Sequence, residues 1–309
     1  MRLEVVDLVR RFDDVRAVDG VSFRVAGGEI YGFVGPNGAG KTTTMRILAT
    51  LDEPTAGDAF LDGVSIVQHP ERARRAVGFM PDNLPSHHDM TVDDYLDFFG
   101  RAYALRGADR RRVVAGVVEF TRLGGIRGKR IDTLSKGMKQ RLSLARTLIH
   151  DPGVLVLDEP AAGLDPRARV ELRELLLALA ADGKAILISS HILTELSEIC
   201  HGAVILEHGR IVRSGTIEEL LEDETLHWTV RLRAIEPPEE LHRRLLAAPH
   251  VEAVRPVGAE LEVDLLGGPE ESAELLAHLV TSGVKVVEYR RRRGGLEDAF
   301  MRFTRGDVS

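Results

Sequence analysis

A chain of 309 residues with 44% hydrophobic and 29% charged side chains carries enough apolar material for about two folded domains and too much to remain disordered. Its net charge of -7 excludes a general attraction to nucleic acid or anionic lipid, and apolar runs such as Val154-Leu155-Val156-Leu157 fall far short of the roughly 20 residues that cross a bilayer. A lone cysteine, Cys200, cannot build an internal disulfide or a thiolate metal cluster, and the N-terminus reads as a strand rather than a secretory signal; together these predict a reducing, cytoplasmic setting.

In chain order, residues 2–9 and 20–25 alternate apolar and polar side chains, as half-exposed antiparallel strands do. Ile30-Tyr31-Gly32-Phe33-Val34 is a continuous apolar run, expected of a buried strand. Directly after it, Gly35-Pro36-Asn37-Gly38-Ala39-Gly40-Lys41-Thr42 matches G-x-x-x-x-G-K-[ST], with a helix expected from Thr43. Gly35, Gly38 and Gly40 let the backbone curl so that successive N–H groups and a helix N-terminus face one anion. Lys41 adds a positive charge and the Thr42 hydroxyl suits Mg²⁺; Pro36, Asn37, Ala39 and Thr43 complete the expected phosphate cradle.

From residue 93 to 148 the pattern is helical throughout, broken only at Arg106-Gly107 and Gly124-Gly125, which predicts a helical subdomain over about 90–150. Within it Tyr95, Phe98, Phe99 and Tyr103 form a stripe at helical spacing, most of which is expected to pack inward. The run ending at Leu157 predicts a buried parallel strand, and Asp158 at its carboxyl end lies where α/β sheets hold ligands. Asp158 is assigned to Mg²⁺, and Glu159 to orienting or deprotonating an attacking water. A helix over 168–181 and a third apolar strand over 186–188 follow, the latter leading into Ser189-Ser190-His191.

Residues 1–220 carry 29 basic and 31 acidic side chains, residues 221–309 carry 12 and 17, and this shift sets an expected domain boundary near 220. Beyond it the order strand 228–234, helix 238–247, strands 251–257 and 260–265, helix 269–281, strand 285–291 and helix 296–303 predicts a small α+β unit of ferredoxin-like type.

These motifs, in this order, resemble the ATP-binding cassette (ABC) family over about 220 residues. Leu134-Ser135-Lys136-Gly137-Met138-Lys139-Gln140-Arg141 resembles the family signature LSGGQ, with Lys136 and Met138 as departures that leave Ser135 and Gly137 intact. The resemblance implies that Ser135 and Gly137 bind the γ-phosphate of ATP held by a second subunit, and that Asp165 in Ala161-Ala162-Gly163-Leu164-Asp165 links the paired sites. It also implies that Phe12 stacks on adenine and that His191 hydrogen-bonds the γ-phosphate. Asp82, in Val77-Gly78-Phe79-Met80-Pro81-Asp82, stands where the family has a glutamine that contacts Mg²⁺, and is expected to keep an oxygen ligand there.

The resemblance therefore implies an α/β fold: a P-loop NTPase of ABC type, with a mixed sheet and a helical subdomain, followed by the small accessory domain. The expected activity is hydrolysis of ATP with Mg²⁺, with Lys41, Glu159 and His191 as catalytic residues. The expected partners are a second copy of the chain in the ATP-bound state and a separate transmembrane permease, with no nucleic acid. Export is the expected direction, because single-cassette bacterial exporter ATPases carry a C-terminal domain of this size. The rival reading is a soluble ABC ATPase of translation or repair. Members of that kind usually join two cassettes in one chain, or separate the halves of one by long coiled coils, whereas this chain has one phosphate loop and 93 residues between Lys41 and Ser135.

Overall fold

The computed structural model describes residues 1–82, 89–190, 193–221 and 227–291, arranged as two compact units that divide between Ile217 and Glu218. The first unit opens with strands β1 (Leu3–Phe12), β2 (Val15–Val25) and β3 (Ile30–Val34), then helix α1 (Lys41–Leu48). Strands β4 (Ala56–Leu61) and β5 (Val64–Ser65), helix α2 (Pro70–Ala76) and strand β6 (Val77–Met80) follow. Helices α3 (Val92–Ala102), α4 (Gly107–Phe120) and α5 (Lys136–Leu148) come next. The unit then alternates β7 (Val154–Leu157), α6 (Pro166–Ala181), β8 (Ala185–Ser189), α7 (Leu193–Ile199), β9 (Gly202–Glu207) and β10 (Arg210–Thr216), with α8 (Ile217–Leu221) at the boundary.

Two sheets carry this unit. β2-β1-β4-β5 is antiparallel, and its strands alternate buried and exposed residues because only one face meets the core. The second sheet runs β10-β9-β3-β8-β7-β6, parallel from β9 to β6 with β10 antiparallel at the edge. Its central strands are buried on both faces, which is why β7 and β8 read as uninterrupted apolar runs. Leu3, Leu8, Val21, Phe33, Met45, Val156 and Leu187 join both sheets and α1 in one core, where the rings of Phe23 and Phe33 meet at 5.4 Å.

The helical stretch builds its own core from Val92, Tyr95, Leu96, Val118, Leu123, Leu142 and Ala145. Thr91 starts α3 with a capping box closed by Asp94. The aromatic stripe divides: Tyr95 is fully buried, Phe99 packs against the same core, Tyr103 stacks on His150 at 4.1 Å, and Phe98 stands 53% exposed.

The second unit contains β11 (His227–Ala234), α9 (Pro238–Leu246), β12 (Val251–Val257), β13 (Glu260–Leu266), α10 (Pro269–Thr281) and β14 (Val286–Arg291). All its strand pairs are antiparallel in the order β12-β13-β11-β14, the split βαβ arrangement of a ferredoxin-like unit, around Val230, Leu232, Leu245, Val263 and Leu275.

Some boundaries differ from the sequence reading. The helix expected from Thr43 begins at Lys41, since Gly40 in the left-handed region (φ 97°) releases the chain into the helix directly. The first two strands extend to Phe12 and back to Val15, meeting in a hairpin turn in which Asp13 takes a positive φ. Strands β4 and β5 were not foreseen: β4 carries Gly57 as its second residue, which weakens a strand pattern, and β5 has two residues. The helix expected over 296–303 lies outside the described residues.

Candidate functional site

The phosphate-type loop leaves the end of β3 and turns into α1. A side chain at Gly35 would stand 2.5 Å from the Leu206 carbonyl, and one at Gly40 would run into the Ala17 carbonyl, so both positions accept only hydrogen. Behind the loop Lys41 is buried, its Nζ donating to the carbonyls of Gly35 at 2.7 Å and Pro36 at 3.0 Å. Burial lowers the pKa of its ammonium, and the carboxylates of Glu159 and Asp158 pull in the opposite direction.

Next to α1, the Thr42 hydroxyl donates to Asp158 Oδ2 at 2.9 Å. Asp158 follows β7 and is 3% exposed, an unusual burial for a carboxylate that requires partners. Its other oxygen, Oδ1, accepts a 2.6 Å hydrogen bond from Ser189 at the end of β8, and the Ser189 hydroxyl accepts the Glu159 N–H at 2.8 Å. Glu159 itself takes φ 48°, a left-handed conformation that a non-glycine residue adopts only when its surroundings impose it. Ser189 was not assigned in the sequence; the available signal was a serine closing an otherwise apolar strand immediately before the expected histidine.

One open cleft of about 440 Å³ brings together Phe12, Lys41, Thr42, Asp82, Asp158 and Glu159. Asn37, Gly38, Gly40 and Thr43 line it as well. Phe12 is 43% exposed at the end of β1, with the Arg10 guanidinium 4.4 Å from its ring centroid. A mainly apolar cavity of about 270 Å³, reached by α6, β8 and α7, contains none of these groups.

The signature-like segment lines a different hollow, of about 160 Å³, which holds Ser135, Gly137 and Asp165. Ser135 caps α5, its hydroxyl accepting the Met138 N–H at 3.3 Å, and Asp165 caps α6 by accepting the Ala168 N–H at 2.9 Å. A methyl group on Gly137 would approach Ala168 Cβ to 3.1 Å, so the glycine lets α5 and α6 pack closely at their N-termini. Lys136 lays its ammonium against Gly163, whose φ of 66° turns the chain toward Asp165. His191 lies outside the described residues.

Residues 18–162 match the ABC transporter family. Over 98% of its length the chain is 38% identical to a Nod factor export ATP-binding protein I of Ralstonia nicotianae, covering 93% of that protein. It is 34% identical, again over 98% of its length, to the protein of the same name in Rhizobium meliloti, covering 88% of it. Among solved structures, an ATP-binding subunit of an ABC transporter aligns with a TM-score of 0.66 at 31% identity, over 72% of this chain and 93% of that one.

Proposed function

Because the chain belongs to the ABC transporter family as the ATP-binding, ATP-hydrolysing subunit of an exporter, we propose that two copies close around two ATP molecules and drive a separate transmembrane permease. No helix among the described residues is long and apolar enough to cross a membrane, so in this reading the chain sits on the cytoplasmic face and the permease supplies the path. The Nod factor export relatives support an outward direction, and cargo selection belongs to the permease.

The observation that carries the reading is the set of hydrogen bonds joining Thr42, Asp158, Ser189 and Glu159 beside a buried lysine, in a cleft walled by Phe12. Adenine stacks on Phe12, and the triphosphate lies over the N–H groups of residues 38–43, with Lys41 at the outer phosphates. The donor set fits Mg²⁺: hard oxygens of Thr42 and Asp158 stand together at 2.9 Å, and this ion commonly takes one or two protein oxygens and fills its shell with phosphate and water. Asp82, on the same cleft, supplies a further oxygen. When bound, Mg²⁺ would neutralise charge on the β- and γ-phosphate oxygens.

Glu159 orients a water in line with the γ-phosphorus and takes its proton as the new P–O bond forms. The bond to the β–γ bridging oxygen breaks with its electron pair left on ADP, and Lys41 stabilises the charge that spreads over the departing phosphoryl oxygens. Ser135 and Gly137 line a hollow separate from Lys41 in the same chain, which supports their serving the ATP of the opposing copy through the N-terminus of α5, with Asp165 at the seam. His191 contacts the γ-phosphate in this reading. Closure on ATP and reopening after hydrolysis form the two-state switch that a permease reads.

The test is capture. A Glu159→Gln variant held with ATP, recovered from detergent-solubilised native cells, should bring down a polytopic membrane protein in stoichiometric amount. Ribosomal or DNA-bound partners with no membrane protein would replace the transport reading.

A further inference from the structure

The parallel sheet separates the two halves of the ATPase site. The phosphate loop follows β3 and the acids follow β7, but these strands are not neighbours: β8 lies between them. Its last residue, Ser189, pairs with Phe33 of β3 on one side and is fully buried. On the other side the regular ladder ends at Leu157 and Ile188, where the chain departs from strand geometry. The Asp158 N–H then goes to the Met80 carbonyl on β6 at 2.8 Å, and the Glu159 N–H goes to the Ser189 hydroxyl rather than to a strand carbonyl.

An ionised carboxylate can only accept, so the single hydroxyl proton of Ser189 is committed to Asp158 and its lone pairs remain for the Glu159 N–H. Each Asp158 oxygen thus has its own hydroxyl donor, Thr42 on one and Ser189 on the other, and the carboxylate cannot rotate without losing both. The same oxygen that fixes this plane holds Glu159 in the turn where φ is 48°.

We propose that Ser189 is a positioning residue for both acids of the ATPase site, setting the carboxylate plane of Asp158 and the backbone of Glu159 through one buried hydroxyl. The inference rests on the reading that Asp158 serves the metal and Glu159 the water, and adds to it the group that couples them. Alanine at 189 removes a donor and an acceptor at once. Threonine keeps the hydroxyl and suits a strand, and cysteine keeps the volume with a weak hydrogen-bonding group.

The experiment compares full-length wild type with Ser189→Ala, Ser189→Thr and Ser189→Cys in three readouts. These are ATP affinity without metal, Mn²⁺ affinity by electron paramagnetic resonance with ATP present in a Glu159→Gln background, and kcat and KM for Mg²⁺-ATP. Outer partners of metal ligands are commonly worth about 10- to 100-fold in metal affinity or activity, so Ser189→Ala should lose that much in Mn²⁺ affinity and in kcat while metal-free ATP affinity stays within about threefold. Ser189→Thr should recover both losses, and Ser189→Cys, which carries the test if the alanine variant does not fold, should behave as the alanine one. Wild-type Mn²⁺ affinity and kcat in the alanine or cysteine variant, or a threonine variant as impaired as alanine, overturns the inference. Asp158→Asn run alongside separates the two levels: if it abolishes metal binding and turnover while Ser189→Ala does not, only the role of Ser189 fails. If Asp158→Asn changes neither, the metal reading and this inference fall together.

Discussion

Thr42, in the first turn of α1, and Asp158, just beyond β7, are 116 residues apart in sequence and meet through a 2.9 Å hydrogen bond. The contact joins the glycine-rich loop and its helix to the acidic strand end, and under the proposed function these two oxygens would hold the divalent cation. Removing either oxygen should show first in the metal dependence. Thr42→Val and Asp158→Asn should each raise the Mg²⁺ concentration for half-maximal turnover by at least about tenfold. Titration of Mg²⁺ at saturating ATP checks this; an unchanged half-point in both variants would remove the pair from the metal site.

Glu159 is fixed through its backbone N–H by the Ser189 hydroxyl and lines the cleft. Glu159→Gln keeps shape and removes the base, and the expected loss in kcat is of the order of the 10²- to 10⁴-fold that positioned proton transfer supplies, with ATP affinity retained. Single-turnover hydrolysis together with nucleotide binding separates the two effects. A parallel loss of binding would assign Glu159 to the cradle instead.

Lys41 yields a prediction with a definite sign in pH. Burial holds its pKa below the ordinary 10.5, so the folded state releases the proton more readily than the unfolded one. The resulting penalty on folding is fully present below the folded pKa and is relieved as pH rises through the window up to 10.5. Lys41→Met should therefore raise the melting temperature of nucleotide-free protein near neutral pH, with an advantage that shrinks toward the alkaline end, while abolishing ATP binding. Thermal unfolding of both proteins across that range tests it; an advantage that grows with pH would contradict the burial account.

The aromatic stripe on α3 separates packing from surface. Tyr95 is enclosed and Phe98 is more than half exposed. Tyr95→Ala should cost about 3–5 kcal/mol of stability through lost burial and the cavity left behind, and Phe98→Ala no more than about 0.5 kcal/mol. Urea denaturation with unchanged slope gives both values.

Cys200 is buried, and its thiol is pushed up to about 12 by desolvation, so almost no thiolate exists at neutral pH. A disulfide-exchange reagent should modify it only when the protein unfolds. Rapid labelling of folded, nucleotide-free protein would show an opening of the region around β3 and α7 that the packed structure lacks.

The motif residues were legible in the sequence because each answers a local constraint. Glycines spaced between an apolar run and a helical pattern mark the loop at 35–42, and the short aliphatic run 154–157 closed by Asp158 suits a strand buried on both faces. The long-range partners were not legible. Ser189 reaches Asp158 because β8 is inserted between β3 and β7, a strand order that no local pattern encodes. Lys136 stood in the sequence only as a departure from the signature, and its ammonium lies against Gly163, a contact between segments 27 residues apart that no local pattern encodes. The ferredoxin-like unit was readable because its strands alternate and its helices open on prolines, at Pro238 and Pro269.

The most direct test of the central claim is the mass of the Glu159→Gln chain measured by light scattering with and without ATP and Mg²⁺. If two copies close on two nucleotides, ATP should double the mass, and a Ser135→Arg substitution, which fills the hollow at the N-terminus of α5, should prevent the doubling without loss of ATP binding to the single chain. A monomer at saturating ATP, or a dimer indifferent to Ser135→Arg, would contradict the ATP-sandwich account.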